Sequence, residues 1–439
     1  MSEVALVLGG SIAGLLAARV LSEAYDEVVI ADRDKVLGVT TPRRGVPQGH
    51  HVHGLLARGQ QVLDELFPGF TGDALAAGVP TGDLGELRWY FNGRLLQPAA
   101  TGLMCLSAAR PVLEALVRER VAALPNVRFL EEHDIVAPVF SADDTRVNGA
   151  LLRPRTTGGA ELVVTADLVI DATGRGSRSP VWLGEHGYQR PDEDRIRIDL
   201  SYTSRHYRLA DESILDGQLS INPVSSPSHP RGAFFSRIEN GRCALSLTGV
   251  LGDAAPTDPA GYEMWIKSLP VPDIHEVLQG AEALTDPVQF RYPNSVRRRY
   301  ERLRRFPQRY LVIGDAACSF NPVYGQGMTV AALEALTLRD HLRRGTPDPT
   351  SFHRDTAAVV DTPWDVSAGG DLSYPQVPGR RTAKVKMMNA YLAKLQAAAT
   401  RDARVTRTFM RVFGLVDPPQ DLMRPAMVAR VLRGARQAG

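Results

Sequence analysis

Apolar and polar positions along the chain fall into three rhythms. Four short runs, 4–8, 28–31, 168–170 and 310–313, are apolar throughout, the pattern of strands buried on both faces of a parallel sheet. The first run passes into an alanine- and leucine-rich helical pattern and then into the second run, so residues 4–34 predict a strand–helix–strand unit. From 187 to 286 the rhythm becomes two-residue alternation (RIRIDLSYTSRHYRL, then GAFFSRIENGRCALSLTGV), which predicts a mostly antiparallel sheet inserted into the first unit. Helical patterns cover 54–66, 109–124 and 383–412, the last rich in Arg and Lys, and a further helix begins near Met328. Short strands flank an Asn92-Gly93 turn within 82–97, strands lie at 127–130 and 135–140, and 147–154 with 161–165 reads as a hairpin. The segment 345–381, rich in Pro, Asp, Thr and Gly, reads as a linker.

The turns that follow the apolar runs carry the chemistry. After the first comes G-x-S-x-x-G: Gly9 lets the chain leave the strand tightly, Ser11 is small enough for close backbone approach, and Gly14 lets the helix lie close on the sheet. Free N–H groups at the helix start, with the positive end of its dipole, suit a pyrophosphate. Asp32, eighteen positions past Gly14, sits where a carboxylate accepts from ribose hydroxyls, which argues against a 2′-phosphate and for FAD or NAD. The third run ends in Asp171-Ala172-Thr173-Gly174, a second turn at the same sheet edge. The fourth ends in Gly314-Asp315, followed by Asn321-Pro322 and Gly325-Gln326-Gly327 before a helix. The Asp315 carboxylate suits a polyol such as a ribityl chain, and the amides of Gly325 to Met328 suit an anionic edge of a reduced flavin ring.

Composition narrows the partners. With 51 Lys and Arg against 49 Asp and Glu, the net charge of +2 gives no global case for nucleic acid. The cluster Arg297 to Arg299 with Arg302, Arg304 and Arg305 reads as a solvated face, with anion or partner binding as the alternative. Cys105, Cys243 and Cys318 are too few and too far apart for a metal cluster or a disulfide framework, the usage of a reducing cytosol. No basic leader precedes the first strand and no long apolar run occurs, so we expect a soluble, cytoplasmic protein without a transmembrane segment.

Three places leave alternatives open. The loop 40–53 (TTPRRGVPQGHHVH) leaves the ligand-binding edge of the sheet; Arg43 and Arg44 reach phosphate or ribose from it, and His50, His51 and His53 fit a loop over a cofactor better than a metal site, because no carboxylate or cysteine completes one. Trp89, Tyr90 and Phe91 are either core or a substrate wall. Arg110 at a helix start opposes the dipole, which is explained by an anionic ligand or by solvent exposure.

The G-x-S-x-x-G unit, the DATG turn and the GDxxxxxNPxxGQG loop together resemble the flavoprotein monooxygenases of the para-hydroxybenzoate hydroxylase class, over most of residues 4–340. Within that class, RRGVPQGHHVH, DATGRGSRSPVWL and GDAACSFNPVYGQGM are most similar to the flavin epoxidases of polyether biosynthesis, the monensin and lasalocid type. The resemblance implies an α/β fold: a Rossmann-like FAD-binding domain of the glutathione-reductase type (1–83, 101–186 and 287–345), an inserted antiparallel-sheet substrate domain (187–286, with an excursion at 84–100), and a linker with a C-terminal helical region (346–439).

It also implies site roles. Gly9, Ser11 and Gly14 hold the pyrophosphate, Asp32 the ribose, and Arg33, Arg43 or Arg44 the adenosine side; Arg110 contacts FAD and Ile135 supplies a backbone contact to adenine. Gly174 belongs to the second turn, Asp315 binds the ribityl chain and pyrophosphate, and Pro322, Gly325, Gln326, Gly327 and Met328 line the ring. The implied activity is transfer of one oxygen atom from O₂, by way of a C4a-hydroperoxyflavin, to a small apolar natural product, with olefin epoxidation first. Aromatic hydroxylation, with Tyr202, Tyr292 and Tyr324 as unranked relay candidates, is the alternative within the class; an O₂-independent flavin reductase or dehydrogenase is the alternative outside it. No catalytic dyad or metal is required, because the cofactor carries the chemistry. Two departures stand out: Thr173 and Pro180 replace an Asp and an Arg that serve both FAD and NADPH in the class, and Cys318 stands where many members have His. NADPH or NADH is then the electron source either directly or through a separate flavin reductase.

Overall fold

A computed structural model describes residues 2–156 and 159–438. The four wholly apolar runs, joined by Val127–Leu130, form a five-stranded parallel sheet in the order Tyr310–Val312, Leu168–Asp171, Val4–Leu8, Glu27–Ala31, Val127–Leu130. Both faces are covered, as such runs require. Ala5 and Val7 point into a core shared with the helices Ile12–Leu21, Arg110–Ala122 and Gly327–Leu342, while Leu6 and Leu8 point into a second core under the three-stranded sheet His133–Phe140, Val147–Pro154, Leu162–Thr165. Because the strands are parallel, the turns at Gly9, Ala172 and Gly314 all leave from one edge.

The alternating region builds a nine-stranded sheet around the long strand Glu193–Arg208, which pairs antiparallel with Arg242–Gly249 and with Val288–Arg298. Arg88–Phe91 and Arg94–Leu95 join its far edge, the former parallel to Ser220–Val224. One face packs on the helices Pro259–Lys267 and Asp273–Val277. The other meets the C-terminal helices, and Trp89 and Phe91 lie there in a core with Leu395, Phe409 and Met410, which resolves the aromatic cluster as core.

Three sequence expectations need correction. The inserted sheet does not end at 286, because Val288–Arg298 is one of its central strands. The supposed linker contains a 23-residue helix, Pro349–Asp371. Asp348 caps it by accepting from the Ser351 N–H, Pro349 occupies the first turn where no N–H is needed, and Phe352, Val360 and Trp364 are buried, so capping and packing outweigh a composition that includes Pro363. The continuous pattern 383–412 is broken into Ala383–Ala399 and Ala403–Phe413 by Asp402, which caps the second helix; Pro425–Ala438 follows. Among the described residues no helix is long and apolar enough to cross a membrane.

Candidate active site

The first turn is fixed by sterics. Gly9 has φ +107°, and a Cβ on it would lie 2.5 Å from the Ala172 carbonyl oxygen; a Cβ on Gly14 would lie 1.8 Å from the Gly9 carbonyl oxygen. Ser11 stands at the helix N-terminus, yet its hydroxyl donates to Glu114 Oε2 (2.7 Å) instead of capping, so the first helical amides stay open. Asp32 is pinned beside them, accepting from the Gly10 N–H (2.7 Å) and the Asp34 N–H (2.8 Å). Burial raises its carboxyl above the usual range against the pull of Arg43.

Glu114, which sequence reasoning passed over, organises the arginines. Arg43 Nη2 donates to Glu114 Oε1 at 2.5 Å, Arg118 Nη1 to the same oxygen at 3.3 Å, and Arg110 Nη2 to Oε2 at 3.3 Å and to Ser11 Oγ at 3.1 Å. Burial pushes the Glu114 carboxyl up, but Arg110 and Arg43 outweigh it and hold it below the usual range. The signal was present: Arg110, Glu114 and Arg118 are spaced i, i+4, i+8 on one helix face. Arg43, Arg110 and Glu114 line a narrow cleft with Pro42, Val46 and Pro111. Arg44 is exposed and Arg33 pairs with Asp134 at 3.9 Å, so neither joins this network. Ile135 lies on the adjacent sheet paired with Leu152, two residues beyond His133, whose N–H donates to the Asp32 carbonyl at 3.0 Å.

The other two turns pack against the first. Asp171, fully buried, accepts from the Thr173 N–H (2.9 Å), the Thr173 hydroxyl (2.6 Å) and the Ser177 and Ser179 hydroxyls, which fixes the bend at Gly174 (φ +77°). Gly314 (φ +61°) lies so near the first helix that a Cβ would come within 2.7 Å of Ala13 Cβ; its N–H donates to Glu334 Oε2 at 2.7 Å. Burial lifts the Glu334 carboxyl to about 8. Arg298 ties the second and third turns together, donating to the carbonyls of Ala316 (2.7 Å) and Arg175 (3.2 Å). Arg297 and Arg299 are likewise buried or nearly so and paired with Asp361 and Asp194, so this run is no solvated face; Arg302, Arg304 and Arg305 are exposed. The reason is position: the run ends the strand that carries the large sheet onto the turns.

Asp315 accepts no hydrogen bond from any described residue, and burial raises its carboxyl against Arg175, Arg110 and Arg298. A Cβ on Gly327 would meet only Asp315 Oδ1, at 3.9 Å, so the backbone at the start of the Gly327–Leu342 helix lies open beside that carboxylate. Gln326 gives no side-chain cap to this helix, and its Oε1 is buried without a partner. Gly325 adopts φ +66°, Met328 is buried and Pro322 is exposed. The loop 40–53 is stitched to the large sheet: His51 Nδ1 meets Ser204 Oγ at 2.7 Å and the Val52 N–H donates to Ser246 Oγ at 2.8 Å. Burial holds His51 and His53 neutral, down to about 4 and about 3.

These residues fit FAD: two uncapped helix starts, a pinned acid at the second strand, an unpartnered acid at the end of the Tyr310–Val312 strand and bare glycine backbone beside it. Over nearly its whole length the chain has the fold of a flavoprotein/dehydrogenase from Cytophaga hutchinsonii (TM-score 0.71, 16% identity, 99% of this chain and 98% of that one). It also matches PqsL, a probable FAD-dependent monooxygenase from Pseudomonas aeruginosa (TM-score 0.61, 17% identity, 93% and 99%). Fold and site are thus those of FAD-binding proteins, and the fold is one shared with FAD-dependent monooxygenases. The chain belongs to the family of Protein Rv3254 of Mycobacterium tuberculosis, with which it shares 35% identity over 94% of its own length and 90% of the relative's. A kynurenine 3-monooxygenase of Salinispora arenicola is 28% identical over 82% of this chain and 74% of that protein. No family model matches the chain.

Proposed function

We propose that this protein lays FAD across the three turns and uses it to transfer one oxygen atom from O₂ to a small, largely apolar molecule, with olefin epoxidation as the reaction. The observation that carries this reading is the unpartnered Asp315 beside open glycine backbone, on the same sheet edge as the uncapped helix behind Ser11. When bound, FAD would supply the redox chemistry: two electrons from a nicotinamide donor and two protons let one atom of O₂ enter the substrate while the other leaves as water. The chain binds and orients: Gly9, Ser11 and Gly14 with the helix amides hold the pyrophosphate, Asp32 the ribose, and Arg43 and Arg110 the phosphate side once they turn from Glu114. Asp315 accepts from the ribityl hydroxyls, and the amides of Gly327 and Met328 stabilise negative charge on the ring edge set against them. The stitched loop 40–53 excludes water between the lobes.

Epoxidation is supported by the motif likeness to the polyether epoxidases, and monooxygenation in general by the Salinispora relative's name. Hydroxylation of an aromatic ring is the second reading, favoured by the buried, unpartnered hydroxyl of Tyr202 on the large sheet. Electron supply through a separate reductase is supported by Thr173, whose hydroxyl is turned onto Asp171, and by Pro180 in the first turn of its helix. The test is to mix the yellow protein anaerobically with NADPH or NADH alone. Persistent colour, with rapid bleaching once a flavin reductase is added, fits the proposal; direct bleaching within seconds assigns hydride uptake to this chain. Substrate conversion in strict anaerobiosis would overturn the monooxygenase reading.

A further inference from the structure

Resting on the monooxygenase reading above, we propose that the substrate lies between the large sheet and the third turn and is an uncharged molecule carrying hydroxyl or carbonyl groups recognised by Tyr202, Thr248, His51 and Asp371. Each of these side chains is more than nine-tenths buried. Each leaves one polar atom without a partner: the Tyr202 hydroxyl, Thr248 Oγ1, His51 Nε2 and Asp371 Oδ2. The four are neighbours. Tyr202 and Thr248 are directly opposed across the Glu193–Arg208 and Arg242–Gly249 strands, so they share a face, and the His51 ring lies 5.7 Å from that of Tyr202.

Asp371 approaches from the other side. It ends the Pro349–Asp371 helix, and its Oδ1 is taken by Asn321 Nδ2 (2.7 Å) and more weakly by the Tyr324 hydroxyl (3.4 Å), both from the third loop, while Oδ2 stays free. Leu372, the next residue, packs in one buried cluster with Tyr202, Tyr292 and Tyr374. The hydrogen-bond partners of Asp371, Asn321 and Tyr324, are neutral, and burial lifts its carboxyl to about 7. None of the four unpartnered groups is a cation that would select an anion, whereas a hydroxyl or carbonyl meets groups that donate or accept as needed. Leu200, Tyr292, Leu372, Tyr374 and Val377 surround the cluster with apolar surface for the rest of the molecule. The covering segment is one unit, because Arg381 donates to the carbonyls of Leu372 (3.0 Å), Tyr374 (2.7 Å) and Val377 (2.8 Å).

A buried polar atom held for a ligand weakens the ligand-free protein, so removing it strengthens the fold, the opposite of what loss of a structural hydrogen bond does. The test measures thermal unfolding of the substrate-free yellow protein for Thr248→Val, Tyr202→Phe and the double variant, with Ser204→Ala, whose hydroxyl is partnered by His51 and Ser246, as control. We expect Tm to rise by about 1–2 °C for each single variant and to fall for the control. The hydroxyl-bearing probe 2-naphthol should raise the Tm of the native protein by more than that of the double variant. A fall in Tm for Thr248→Val and Tyr202→Phe, or an equal or absent response to 2-naphthol in both proteins, overturns the proposal. Flavin content, read from the visible spectrum of the same samples, reports separately on the cofactor reading.

Discussion

Asp32 and Asp171, at the edge of the parallel sheet, accept from backbone amides and hydroxyls on both oxygens, whereas Tyr202, Thr248 and Asp371, at the face of the large sheet, each keep a buried atom with no partner. At the first region the acids serve the backbone: they clamp sharp turns, one built on Gly9 and Gly14, which leave no room for a Cβ, the other on Gly174 at φ +77°, and Asp315 alone among the turn acids named here stays open. At the second region the fold is secured by apolar packing, and the polar atoms are surplus to it. A cofactor common to many enzymes is met by main chain, which tolerates little change; a particular substrate is met by side chains, which vary at small cost to the fold.

Four experiments would break or sharpen this contrast. Asp315→Ala should have the largest effect, giving mostly colourless protein, since one carboxylate making two charge-assisted hydrogen bonds at about 1.5–3 kcal/mol each is worth about 100-fold or more in affinity. A fully yellow variant would show the ribityl assignment to be wrong. Glu114→Gln should come next, costing about 3–5 kcal/mol in denaturant melts because three buried guanidinium groups lose their shared counter-charge. The native Glu114 is held below the usual carboxylate range, so its stabilisation is complete above about pH 4.3 and is lost as pH falls through its folded value; the variant should lack that acid-sensitive component.

Glu334→Gln should show a smaller effect of opposite pH sense. A carboxyl raised to about 8 binds its proton more tightly in the folded than in the unfolded state, so native stability declines as pH rises from the unfolded value through about 8. The variant keeps an acceptor for the Gly314 N–H and should gain on the native protein across that window, by at least about 1 kcal/mol, read from melts between pH 5 and 9. The smallest effect separates two adjacent arginines. Arg44→Ala should alter flavin affinity by less than about twofold, as for an exposed side chain, whereas Arg43→Ala, which removes contacts to Asp32, Asp34 and Glu114, should weaken it by at least about tenfold.

The contrast also explains what could be read without coordinates. Gly9, Gly14, Asp32, Gly174 and Gly314-Asp315 were legible because a tight turn at the end of a buried strand admits few residues, and the rule is local. Glu114 was half legible through its i, i+4 spacing to two arginines, but which way those arginines turn depends on the loop 40–53. Arg297 to Arg299 misled because a charge run says nothing about which strand it terminates. The helix Pro349–Asp371 misled because composition undervalues a capped end and a buried flank.

The order of elements, the parallel sheet buried on both faces and the three turns at one edge were settled by the one-dimensional pattern, since strand burial and turn sterics act over a few residues. The pairing of Tyr202 with Thr248, the arrival of Asp371 from nearly 170 positions away and the burial of Arg298 between two turns were decided only in three dimensions. Hydrogen bonds and ion pairs between distant segments depend on where whole sheets and helices dock, and no short-range rule contains that information.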